Sequence, residues 1–140
     1  MAGFRPVVLA AALTAGCTSI AVDARSLAGT AWRVVAINGH PTPPSDRYRM
    51  SFEPGRFSVR FGCNSGGGSY RLEGSRLIVP GPVLATQMAC ASATDDGPDP
   101  MTFERQGFAV AGKPMRMRWS GGRRLTLSNA AGSIDLKRLP

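Results

Sequence analysis

The chain has 140 residues, 43% of them hydrophobic and 19% charged, proportions that exclude a disordered polymer. The length fits one domain behind a short leader and excludes two full cores. A formal charge of +8 favours anionic partners, although arginine-rich composition also follows from genome base composition.

The N-terminus has the pattern of an export signal. Arg5 gives a positive start, and residues 7–15 (VVLAAALTA) form an apolar run of nine. A membrane span needs about 20 residues, whereas a secretory apolar region needs about 7–15. A buried N-terminal helix is the competing reading. Residues 1–16 are therefore assigned to a signal peptide and set apart from the fold. Leu13, Thr14, Ala15, Gly16 and Cys17 resemble a lipobox, which makes Cys17 a candidate lipidation site and membrane anchor. The pattern is shifted, because Thr14 stands three before the cysteine and Leu13 four before. Ordinary signal cleavage after Ala21 or Ala24 is the alternative. Residues 17–26 are small and polar and read as a tether, so the domain spans 27–140. With Arg5 removed, 16 basic residues face 9 acidic ones, a net charge of +7.

Strand signals dominate from there. Residues 32–37 (WRVVAI) are β-branched and run into the turn pair Asn38 and Gly39. Residues 40–44 read as a Pro-rich link. Tyr48, Met50 and Phe52 alternate with Arg47, Arg49 and Ser51. Past the Pro54–Gly55 turn, Phe57, Val59 and Phe61 alternate with Arg56, Ser58 and Arg60. These two runs predict a hairpin with an apolar inner face and a basic outer face. Residues 62–69 read as loop, 70–73 and 77–80 as a second hairpin around Gly74, 81–90 as irregular, and 91–100 as an exposed acidic loop.

Asp99 and Pro100 suit the cap and first position of a helix. The expectation is two turns over 101–106, ended or weakened by Gly107. Met115, Met117 and Trp119 then alternate with Arg116 and Arg118. Leu125 and Leu127 follow the Gly121–Gly122 turn, and Ile134, Leu136 and Leu139 follow a turn over 129–132. About eight short strands with one short helix predict an all-β fold, a small antiparallel barrel-like structure.

Setting Cys17 aside leaves Cys63 and Cys90, an even pair that predicts a disulfide in an exported protein. Two buried free thiols are the alternative. A bridge of this loop length stabilises by about 3–4 kcal/mol in the chain-entropy treatment.

Gly62, Cys63 and Asn64, then Gly67, Gly68, Ser69 and Tyr70, then Leu77, then Thr86, Met88, Ala89 and Cys90 follow in close order. A tryptophan strand ending in Asn38 and Gly39 precedes them, and Phe103-Glu104 and Leu125-Thr126-Leu127 follow. This order resembles the META domain, the HslJ-like heat-shock protein family, over nearly the whole mature chain. The resemblance implies a small antiparallel β-barrel-like fold with a helix packed on it, found in secreted and lipoprotein contexts, with no assigned catalysis. The family segment after the second cysteine usually carries a longer apolar helix than the one expected here. Read on their own chemistry, Gly62 and the glycines before Tyr70 permit tight backbone. Asn64 tolerates left-handed turns and bonds local backbone. The motif reads as a structural clamp.

Catalytic and metal chemistry find little support. Residues 66–69 (GGGS) lack the lysine and following helix of a phosphate loop. His40 is the one histidine and lies in a Pro-rich link. Together with Cys63 and Cys90 it falls short of four zinc ligands. Asp95, Asp96 and Asp99 lack calcium-loop spacing, and Glu104 has no evident carboxylate partner. The expectation is a non-enzymatic, monomeric protein of the bacterial cell envelope. It is expected to need no cofactor and to bind no nucleic acid, with an envelope protein or anionic ligand as partner. Arg47, Arg49, Arg56 and Arg60, and again Arg116, Arg118, Arg123 and Arg124, form the candidate anion-binding face. A merely solvated face is the competing reading.

Overall fold

Alternation of apolar and polar side chains underlies most of the longer strands among the described residues. In a computed structural model, residues 27–90 and 99–140 are described. The expected signal peptide, the tether with Cys17 and most of the acidic loop lie outside them. The elements are β1 (Thr30–Ile37), β2 (His40–Pro41), β3 (Tyr48–Glu53), β4 (Arg56–Phe61), β5 (Ser65–Ser69), β6 (Arg71–Glu73), β7 (Arg76–Ile78), β8 (Leu84–Ala85), α1 (Pro100–Ala111), β9 (Met115–Trp119), β10 (Arg124–Asn129) and β11 (Gly132–Arg138).

All these strands pair antiparallel in one sheet, in the order β6-β7-β9-β10-β11-β1-β3-β4-β5-β8, with β2 beside the end of β1. Strands β5 and β6 stand near opposite ends of that order, yet Tyr70 alone separates them in the chain. One continuous run thus pairs with β4 through its first half and with β7 through its second. That continuity forces the sheet to curl into a barrel-like shell, and the Tyr70 N–H bonds the Gly55 carbonyl at 3.0 Å at the crossover.

Inward positions fill the shell. Trp32, Val34, Ile37, Met50, Phe52, Phe61, Leu77, Leu127 and Ile134 are all fully buried. Trp32 meets Trp119 edge-on at 5.6 Å, and Phe52 meets Tyr70 at 5.3 Å. Burying a side chain of this kind contributes about 1.5–3 kcal/mol, so the core carries most of the stability.

Helix α1 caps the end of the shell where β1 and β4 finish and β3 and β11 begin. Asp99 caps it, its carboxylate accepting the Met101 N–H at 3.0 Å, with proline in the first turn. Phe103, Glu104, Gly107, Val110 and Ala111 are its buried face, the spacing of a helix with one apolar stripe. Phe103 packs on Tyr48 at 5.8 Å and Phe108 on Phe61 at 5.1 Å, both edge-to-face. Among the described residues no helix is long and apolar enough to cross a membrane.

Three expectations are corrected. The strands number eleven among the described residues, not eight. The three additional ones are β2, β5 and β8, two of them only two residues long. Residues 62–69 are not all loop, because 65–69 (SGGGS) form β5 between β4 and β8. A strand of glycine and serine shows no alternation to read. Its glycines answer to close approach: a Cβ at Gly67 would stand 2.5 Å from the Phe57 carbonyl oxygen, and one at Gly66 2.6 Å from the Phe108 ring. Finally, α1 does not stop near Gly107 but runs to Ala111. Glycine costs a helix about 1 kcal/mol, and burial of Val110 and Ala111 outweighs it. Gly107 itself lies against the Phe61 ring, whose carbons would be 2.6 Å from an added Cβ.

Candidate functional site

Just past β4 the chain turns sharply. Gly62 adopts φ +109°, a region that favours glycine, and its N–H bonds the Arg47 carbonyl at 2.7 Å. The turn delivers Asn64, fully buried, against α1. The Asn64 N–H donates to Glu104 Oε2 at 3.1 Å, and its Nδ2 donates to Glu104 Oε1 at 2.6 Å and to the Met88 carbonyl at 2.9 Å. Its Oδ1 accepts from the Thr86 hydroxyl at 2.9 Å and from the Met88 N–H at 2.7 Å. Both donors and both lone pairs of the side-chain amide are therefore used. Cys63 and Cys90 form a disulfide with Cα atoms 6.1 Å apart, within the usual range. One hydrogen-bonded hub and one covalent link thus tie three segments together: the exit of β4, residues 86–90 and α1.

That constellation occurs in the order of a known family, and the META domain matches residues 25–138. The chain belongs to the META domain family. Two solved structures, both determined by NMR, share its fold. One is 19% identical with a TM-score of 0.67, covering 83% of this chain and 94% of its own. The other, from Burkholderia xenovorans, is 17% identical with a TM-score of 0.56, covering 96% of this chain and 99% of its own. No curated protein matches the chain.

The remaining motif residues of this META domain are spread around the hub. Gly68 is buried opposite Phe57, and Tyr70 is buried against Phe52. Met88 joins the hub through its backbone, while its side chain is 56% exposed. Ala89 is exposed. Glu104, for which the sequence offered no carboxylate partner, is the hub's acceptor, held by Asn64. The signal that could have found it was its position directly after Phe103 at the start of the helix. The Tyr48 hydroxyl borders the same end of the shell, and burial pushes its pKa above the ordinary value of 10.0. The Arg47 charge opposes that rise and the Glu104 charge adds to it. Among the described residues no cluster of three potential metal ligands occurs.

His40 is exposed on β2, beside a hollow of about 380 Å³ lined also by Asp99, Thr102, Phe103 and Gln106. A second hollow, of about 340 Å³, lies between residues 83–87 and α1, with Glu104 and Phe108 among its walls.

The arginines of the META domain divide differently than their sequence spacing implied. Arg49 stands directly opposite Arg60 on β4 and opposite Arg33 on β1. Arg33 in turn pairs with Lys137 on β11, and Lys137 pairs with Arg124 on β10. Arg124, Lys137, Arg33, Arg49 and Arg60 therefore form one outward row across five consecutive strands. Sequence reasoning missed Arg33 and Lys137, which lie far from the other members in the chain. The expected face is otherwise dispersed. Arg56 sits opposite Glu53, Arg116 opposite Arg76 and Arg118 opposite Thr126, while Arg47 and Arg123 precede their strands. Like charges directly across a ladder are destabilising. Among the described residues the one ion pair is Arg71–Glu73, away from this row.

Proposed function

We propose that this protein is an exported, non-enzymatic module of the bacterial cell envelope that serves stress tolerance or protein interaction by binding. The carrying observation is the clamp around Asn64. Its two cysteines are bonded to each other, and its asparagine has no free donor or acceptor. A nucleophile or a ligand-reading amide needs one of these to be free, so this arrangement favours a scaffold role. The same disulfide supports residence in an oxidising compartment, reached through the leader and anchored by lipid where Cys17 is acylated.

Intact mass of the protein recovered from a bacterial envelope fraction, with and without alkylation, tests this reading. The expected product begins at Cys17, Val22 or Arg25, resists alkylation at Cys63 and Cys90, and carries acyl mass if Cys17 is the first residue. An unprocessed chain with all three thiols reactive overturns the proposal.

A second reading, a small-barrel binder or inhibitor of an anionic envelope ligand or enzyme partner, is favoured by the uncompensated charge on the outer sheet.

A further inference from the structure

We propose that the row Arg124, Lys137, Arg33, Arg49 and Arg60 is a binding track for a linear polyanion laid across the strands. This inference deepens the anionic-ligand reading above and rests on it. The register places one cation on each of β10, β11, β1, β3 and β4, each directly opposite the next. Neighbouring strands are about 4.8 Å apart, so the row extends roughly 20 Å. That is single-file charge, which matches a chain of repeating anions.

Four of the five cations are arginines, whose planar forks take phosphate or carboxylate groups bidentately. The flanking outward side chains include the polar Ser51, Ser58, Thr126 and Asp135 and, on β1, Ala31 and Val35. Ser51 and Ser58 bond each other at 2.7 Å beside Arg49 and Arg60. Thr126 donates to Asp135 at 2.6 Å beside Arg124, which occupies that carboxylate oxygen locally. Asp46 shares the hollow of about 380 Å³ lined by Arg49 and Arg60, but neither aspartate reaches ion-pair distance of a row member. A second hollow of about 380 Å³ lies at the other end, lined by Arg118, Arg124 and Asp135.

A flat lipid surface fits less well. Among the described residues the exposed large hydrophobic side chains are Leu84 and Met88, which lie on β8 and beyond it. Strand β8 pairs only with β5, beyond the β4 end of the row. Side chains able to enter a bilayer are therefore absent from the row itself.

The test is binding of the purified protein to linear inorganic polyphosphate and to polygalacturonate, with phosphatidylglycerol vesicles alongside. Two variants of equal net charge are compared: Arg49→Glu with Lys137→Glu on the row, and Arg76→Glu with Lys113→Glu off it. The expected result is binding to at least one polymer, with the stronger one showing whether phosphate or carboxylate is preferred. The row variant should lose at least about tenfold in affinity and the off-row variant little. Affinity should fall with salt at a slope of about −3.5 for five contacted charges, by analogy with about −0.7 per contacted charge on single-stranded nucleic acid. Thermal melts check that both variants fold. No binding to either polymer, equal loss in the two variants, or binding to vesicles alone overturns the proposal. Equal loss in the two variants sinks the track and leaves the anionic-ligand reading standing, whereas no binding to any of the three probes sinks both, so the two failures are distinguishable.

Discussion

Asn64 and Glu104 are 40 residues apart, and both carboxylate oxygens of Glu104 accept from Asn64, one from its backbone N–H and one from its side-chain amide. The pair joins the exit of β4 to the first turns of α1. A buried carboxylate held by two donors is a charge-assisted arrangement, stronger than a neutral hydrogen bond.

Asn64→Ala removes the hub and leaves Glu104, Thr86 and the Met88 backbone short of partners. Orphaned buried groups cost about 1–3 kcal/mol each, more when charged. The expected loss is about 2–4 kcal/mol, read as a lower urea midpoint. Glu104→Gln keeps an acceptor for the Asn64 amide and should cost less. An Asn64→Ala protein as stable as the parent would show that the network adds nothing to folding.

Gly107→Ala adds a methyl group into the Phe61 ring. Overpacking costs about 1–3 kcal/mol, against about 1 kcal/mol gained from helix propensity. The net outcome is destabilisation by up to about 2 kcal/mol. Combining it with Phe61→Leu should recover part of that loss, giving a favourable coupling in a double-mutant cycle. Additive effects would mean the two positions do not collide.

Replacing Cys63 and Cys90 together by serine should lower stability by about 3–4 kcal/mol, the chain-entropy value for a sequence separation of 27. Reductant added to the parent protein should produce a similar shift in its denaturation midpoint, and none in the double-serine variant.

Alkali should destabilise the fold through its buried tyrosines. Burial raises both the Tyr48 and the Tyr70 pKa above 10.0, with the Glu53 charge adding to the rise at Tyr70. The folded state then keeps these protons to higher pH than the unfolded chain does. Below about pH 10 their contribution is fully present. As pH climbs through that value the unfolded state binds fewer protons, and stability falls. Urea midpoints between about pH 9 and 11 should decline, and Tyr48→Phe with Tyr70→Phe should make the decline shallower.

Much of the architecture was legible because alternation is a direct record of a sheet with one buried face. Tyr48, Met50 and Phe52, with Phe57, Val59 and Phe61, lie inward as their spacing required. Asp99 and Pro100 started the helix where their chemistry placed it. The illegible parts share one cause, which is tertiary contact. Ser65–Ser69 is a strand because of what β4, β8 and Phe108 press against it, and Gly107 continues a helix because Phe61 leaves no room for a larger residue. The cationic row depends on register, which local spacing does not encode. Arg33 and Lys137 become neighbours only when β1 meets β11.

The pairing of β1 with β11 has a consequence for synthesis. The earliest strand of the domain borders the latest one, with Trp32 opposite Arg138 and Ile37 opposite Ile134. A growing chain cannot seal its interior until its final residues emerge, because contacts of such long sequence separation form late. Truncation ahead of Gly132 would bare the flanks of two strands at once, β1 and β10. Closure of the shell therefore waits on β11, the strand that joins β1 to β10.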